Sequence, residues 1–104
     1  MFGNLFGDLE QKQADLQKKL TTIIVSGSAG GGAVTVEASA DGRLTNVAID
    51  KSALSSDDPE ELEDLLLTAA NDALEAAAAR QAEETQALMS QILPPGMEGM
   101  LPGL

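Results

Sequence analysis

Residues 21–50 read TTIIVSGSAGGGAVTVEASADGRLTNVAID, and this stretch decides the fold. Thr21-Thr22-Ile23-Ile24-Val25 is a β-branched run that suits a strand reaching to Ser26. The glycine-rich segment Gly27 to Gly32 breaks it. Val34, Val36, Ala38 and Ala40 then alternate with Thr35, Glu37 and Ser39, the pattern of a strand with one buried face. Asp41-Gly42 follows at once, a short-hairpin signal because both residue types tolerate positive φ. Arg43 to Ile49 makes the returning strand. Its apolar residues Leu44, Val47 and Ile49 depart from a strict period of two, which leaves room for a β-bulge. Three short strands thus form an antiparallel meander.

Helices flank it on both sides. Upstream, Phe2, Leu5, Phe6, Leu9, Leu16 and Leu20 fall on one helical stripe, with Gln13 as a polar gap. Gln, Lys and Leu dominate from Leu9 to Leu20, and all are good helix formers. Downstream, Asp50 to Asp57 form a polar connection. Asp58 suits an N-cap, Pro59 the first turn and Glu61 the third position of a capping pattern. No Gly or Pro recurs until Pro94-Pro95, so a helix is predicted over Pro59–Leu93. At 1.5 Å per residue it is about 52 Å long. A compact chain of this size has a radius of gyration of about 13 Å. Such a helix must project or bend. Its apolar face is Leu-rich near the start, Ala-only from Glu75 to Ala87, and bulky again at Leu88, Met89, Ile92 and Leu93. The Ala-rich middle suits either an exposed helix or a close helix–helix seam. Residues 1–93 read as one domain, and 94–104, rich in Pro and Gly, as a flexible tail.

Composition narrows the function classes. The chain has 104 residues, 17 acids and 6 bases, hence a formal charge of −11, with no Cys, His, Trp or Tyr and two Phe. Disulfide scaffolds, Cys/His zinc sites and His-based catalysis are excluded. Stacking platforms for bases cannot be built from two Phe. No secretory signal and no membrane-spanning run is read. The apolar share of 43% leans on Ala, which buries little area, so a partner chain is expected to complete the core. Residues 57–84 alone carry ten acids against Arg80.

Two motifs fail on inspection. Gly27 and Gly32 have P-loop spacing, but Ala33 and Val34 stand where Lys and Ser/Thr are required. A dinucleotide fingerprint from Gly30 and Gly32 has Thr35 in place of its third glycine and runs into a strand. The acids Asp57, Asp58, Glu60, Glu61, Glu63 and Asp64 lack an EF-hand pattern and read as helix capping plus a solvated face. No metal and no cofactor is called for.

The order of elements, together with particular residues, resembles the YbaB/EbfC family of bacterial nucleoid-associated proteins. The resemblance covers nearly the whole chain. It rests on the Met1-Phe2-Gly3 start, the Val25-Ser26-Gly27 to Gly32 strand and loop, and Val47-Ala48-Ile49-Asp50 followed by Leu54. Leu62-Glu63-Asp64-Leu65 with Ala70-Asn71-Asp72-Ala73, and Leu93-Pro94-Pro95-Gly96, complete it. The resemblance implies an α+β, α-β-β-β-α subunit and a tweezer-like homodimer. It also implies a cytoplasmic, nucleoid location and binding of double-stranded DNA in nucleoid organisation or gene regulation, without enzymatic activity. DNA contacts in the family are attributed to basic residues on the helices, and the matching positions here are Lys12, Lys18, Lys19 and Arg80. The chain departs from the usual pattern in carrying fewer Lys and Arg on both helices. An alternative is an acidic protein-interaction module on the same fold that binds basic proteins. A small metal-dependent hydrolase has only carboxylates in its favour.

Overall fold

A computed structural model of the chain describes residues 2–54 and 57–92, and the side chains from residue 7 onward. The elements run α1 (Phe2–Thr22), β1 (Ile24–Ala29), β2 (Val34–Ser39), β3 (Arg43–Ile49), a single 3₁₀ turn (Lys51–Ala53) and α2 (Pro59–Ile92). The three strands form one antiparallel sheet in the order β1-β2-β3. This is the α-β-β-β-α order expected from the sequence. The expected stripe residues Phe2, Leu5 and Phe6, and the tail 94–104, lie outside the described side chains and residues.

The first strand begins later than the β-branched run suggests. Thr21 and Thr22 finish α1 instead, because their hydroxyls donate back to the carbonyls of Lys18 and Lys19 at 2.7 Å. The strand then runs through Gly27 to Ala29, residues expected in the loop, and the turn shrinks to residues 30–33. At the second hairpin only Gly42 takes a positive φ, of 92°, and Asp41 does not. Asp41 instead accepts a hydrogen bond from the Ser39 hydroxyl, while the Gly42 N–H donates to the Ser39 carbonyl at 2.9 Å. The bulge falls at Thr45, since Glu37 pairs with Asn46 and the adjacent Ala38 with Leu44.

The bulge keeps β3 in phase with the core. On one face of the sheet lie Val25, Gly27 and Ala29, then Val34, Val36 and Ala38, then Ile49, Val47 and Leu44. Helix α2 lies against β1 and β2 on this face and barely reaches β3. Its Ala69, Ala73 and Ala77 are buried there with Val34, Val36 and Ala38. Ala69, Ala73 and Ala77 are therefore a helix–sheet seam, whereas Ala78, Ala79, Ala82 and Ala87 of the Ala-rich middle stay exposed, as the exposed-helix alternative expects. Gly27 makes the close approach possible: a Cβ there would stand 2.4 Å from the Ala73 nitrogen and 2.5 Å from the Ala69 oxygen. Where β3 lies beyond the helix, Leu44, Val47 and Ile49 remain 49%, 46% and 39% exposed. Leu67 and Leu74 of α2 are exposed too, on the opposite side of the helix from Asp72, whose Cβ leans on Gly27.

At its start α2 is capped as expected, the Glu61 N–H donating to Asp58 Oδ1 at 3.2 Å. Helix α1 enters the body through Leu20, buried where it meets β2. The rest of α1 and the far half of α2 project as an arm. The radius of gyration is 18.9 Å and the principal extents are 66 × 24 × 15 Å, so the long helix does project.

Candidate nucleic-acid interface

The arm is a thin two-helix contact. Leu16 of α1 and Leu88 of α2 meet along its middle, with a crevice on either side. The first crevice, of about 230 Å³, is walled by Lys12, Asp15 and Lys19 from α1 and by Glu84 and Gln91 from α2. The second, of about 440 Å³, is walled by Gln13, Gln17, Thr85 and Met89 and carries no cation. Lys12 and Lys19 thus share the first crevice, and Arg80 is tied to it through Glu84.

Helical geometry sorts the residues this way. Lys12 and Lys19 are seven residues apart, nearly two full turns, and so share one flank of α1. Lys18 sits about 200° around the helix from Leu16 and points outward. Arg80 precedes Glu84 by one turn on α2, which sets its guanidinium beside that carboxylate.

Glu84 is the hub. Lys19 Nζ donates to its Oε2 at 2.7 Å, and Arg80 Nε donates to its Oε1 at 3.3 Å. Arg80 Nε is also 3.9 Å from Glu83. The hydrogen bond from Lys19 is the main force holding the Glu84 carboxyl below its ordinary pKa. Partial desolvation opposes it, while the charges of Lys19 and Arg80 and the Arg80 hydrogen bond add to it. Among the described residues, Lys12 and Lys18 make no ion pair within 4.0 Å. Counted together, Lys12, Lys19 and Arg80 are offset by Asp15, Glu83 and Glu84, so the cluster is close to neutral in the lone chain.

The acid-rich start of α2 is remote from this cluster. Twenty residues of helix separate Asp64 from Glu84, about 30 Å. That is several screening lengths at physiological salt, where fields fade over about 8 Å. The acids therefore do little to the local potential at the crevice. Among the described residues no three acidic side chains come together as a metal-binding group. No helix of the described residues is long and apolar enough to cross a membrane.

The sequence pointed to Lys12, Lys18, Lys19 and Arg80 but not to Glu84, which joins Lys19 to Arg80. The Arg80–Glu84 spacing of four was visible in the sequence; the contact with Lys19 was not, because it crosses between two elements. It also missed that Leu44, Val47 and Ile49 would stay uncovered, since a strand's pattern does not tell how wide its covering layer is.

Residues 2–92 match the profile of the YbaB/EbfC DNA-binding family. A nucleoid-associated protein of Brucella ovis is 40% identical over 92 residues, covering 88% of this chain and 86% of the relative. A nucleoid-associated protein of Rhizobium meliloti is 36% identical over the same length and with the same coverage. The crystal structure of the uncharacterized protein HP0035 from Helicobacter pylori superposes with a TM-score of 0.73 at 26% identity, covering 85% of this chain and 92% of that one. Similarity of sequence over nearly the whole described length, with the same order of helices and strands, places this chain in the YbaB/EbfC DNA-binding family.

Proposed function

We propose that two copies of this chain join through the uncovered side of the sheet, and that the dimer binds the phosphate backbone of double-stranded DNA. It would act in the cytoplasm at the nucleoid, in chromosome organisation or gene regulation, with no chemistry of its own. The observation that carries the reading is the placement of Lys12 and Lys19 on one crevice of the arm, with Arg80 tied to the Glu84 carboxylate that lines it. Lys18 on the outer face extends the contact. The names of the Brucella and Rhizobium relatives support it.

The dimer is supported by Leu44, Val47, Ile49, Leu67 and Leu74, which form apolar surface beside a strand edge. Two-fold pairing turns each protomer's uncovered strand toward its partner's and places the two arms at opposite ends. Base-edge reading is not expected, because the arm offers few side chains long enough and free enough for it.

A gel-shift titration of the full chain on mixed-sequence duplex at several salt concentrations tests this. Binding should be strongest at the lowest salt and fall log-linearly as salt rises. Lys18→Glu with Lys19→Glu should abolish the shift and leave the dimer intact. No shift at about 50 mM salt sinks the reading, since electrostatic binding is greatest there. The near-neutral charge of the cation cluster favours a second reading, an acidic module for a basic protein. Recovery of basic proteins in a pull-down that nuclease does not affect supports that one.

A further inference from the structure

We propose that Glu84 is a built-in competitor for DNA phosphate, and that its carboxylate sets the affinity of the Lys19 and Arg80 site. The inference rests on the DNA reading above and adds a control element to it.

A carboxylate and a phosphate offer the same thing to these cations: two acceptor oxygens in one plane, each carrying part of a negative charge. Glu84 uses both of its oxygens, one on Lys19 from α1 and one on Arg80 from α2. Its side chain is 14% exposed, whereas those of Lys19 and Arg80 are 59% and 45% exposed. The carboxylate therefore sits beneath the cations, and a phosphate approaches from above. Glu84 holds the Nε–H of Arg80 and one donor of Lys19 and offsets their charge, so a phosphate competes with it for both cations. Its lowered pKa keeps Glu84 charged at neutral pH, so the competition is always present.

Glu83 provides the internal contrast. It adds the same charge one residue away but stands 3.9 Å from Arg80, is 73% exposed and makes no bond to Lys19 among the described residues. A generic charge effect would treat the two glutamates alike, and competition at the cations would not.

Glu84→Gln keeps the shape and one carbonyl acceptor while freeing one cation charge. One additional released counterion steepens the log–log salt slope by about 0.9, which at ~0.1 M salt is about eight-fold in affinity. The test is a fluorescence-anisotropy titration of the full chain on one mixed-sequence duplex, across several salt concentrations. Glu84→Gln should bind about eight-fold tighter at ~0.1 M salt, with the steeper slope, and Glu83→Gln less than about two-fold tighter. Glu84→Asp keeps the charge but draws the carboxylate back from both cations, and should bind more tightly than the unaltered chain without reaching Glu84→Gln. Detectable binding by Glu84→Gln alone would support the proposal in its strongest form. If the unaltered chain binds and Glu84→Gln binds no better, or if Glu83→Gln gains as much, the competitor role is overturned and the DNA reading stands. If neither the unaltered chain nor Glu84→Gln binds at about 50 mM salt, the DNA reading falls and the competitor role with it.

Discussion

β2 and β3 present the same apolar pattern to the same face of the sheet, yet their environments differ completely. Val34, Val36 and Ala38 are sealed under α2, while their cross-strand partners Ile49, Val47 and Leu44 keep 39–49% of their surface. Composition does not separate them: β3 carries the larger side chains. Width does. A helix with its side chains is about 10 Å across, and neighbouring strands lie about 4.8 Å apart, so one helix covers two strands. Gly27 draws α2 onto β1 and β2, and β3 is the strand left over. The pattern of a strand thus records which face is meant to be buried, but not whether its own chain does the burying.

The sharpest way to break the contrast is to stop α2 from seating. Gly27→Val puts a branched side chain where even a Cβ meets helix backbone at 2.4 Å. It should cost more than about 3 kcal/mol and abolish cooperative thermal unfolding, followed by circular dichroism. A Gly27→Val chain that melts like the unaltered one would show that the helix is not held by this approach.

Matched charges on the two strands come next. Val36→Asp buries a carboxylate under α2 and should leave the chain unfolded at 25 °C. Val47→Asp, on the partner position of β3, should leave the helical spectrum intact and convert the dimer to monomer in sedimentation equilibrium. A folded dimer of Val47→Asp would mean that the second copy covers some other surface.

A milder pair measures the same difference. Val36→Ala should lower stability by about 2 kcal/mol at every protein concentration. Val47→Ala should cost under about 1 kcal/mol in dilute solution, and more as concentration rises, because in the proposed dimer its burial depends on the partner. Equal losses independent of concentration would erase the distinction between the strands.

The smallest effect lies on the arm, where neither strand reaches. The folded pKa of Glu84 is lowered from 4.5, so the Lys19–Glu84 link contributes fully above that value and is lost as the pH falls through the lower folded value. An NMR titration of the Glu84 side-chain carboxyl should give a midpoint below the ordinary one. A midpoint at or above 4.5 would mean that Lys19 does not hold it in solution.

Much of this was legible in the chain. Val34 to Ala40 alternate, Asp41-Gly42 turns, Leu44 and Val47 are spaced for a bulge, and Asp58-Pro59 opens a helix; all are short-range signals that act within a few residues. Thr21 and Thr22 misled because their hydroxyls have two uses, β-branched packing in a strand or bonds to Lys18 and Lys19 carbonyls at a helix end. Gly27 misled because its strand role depends on a helix some 45 residues away. Lys19 and Arg80 were legible as cations, but not as a pair held by one carboxylate.

By itself the sequence determined the order of helices and strands, the side of each that is apolar, and the place where the acids concentrate, because periodicity and capping are local physics. Tertiary structure alone decided which two strands α2 covers, that Ala69, Ala73 and Ala77 meet a sheet, and that Glu84 reaches both Lys19 and Arg80. Those outcomes depend on distances between segments far apart in the chain, and such distances are fixed only when the elements pack.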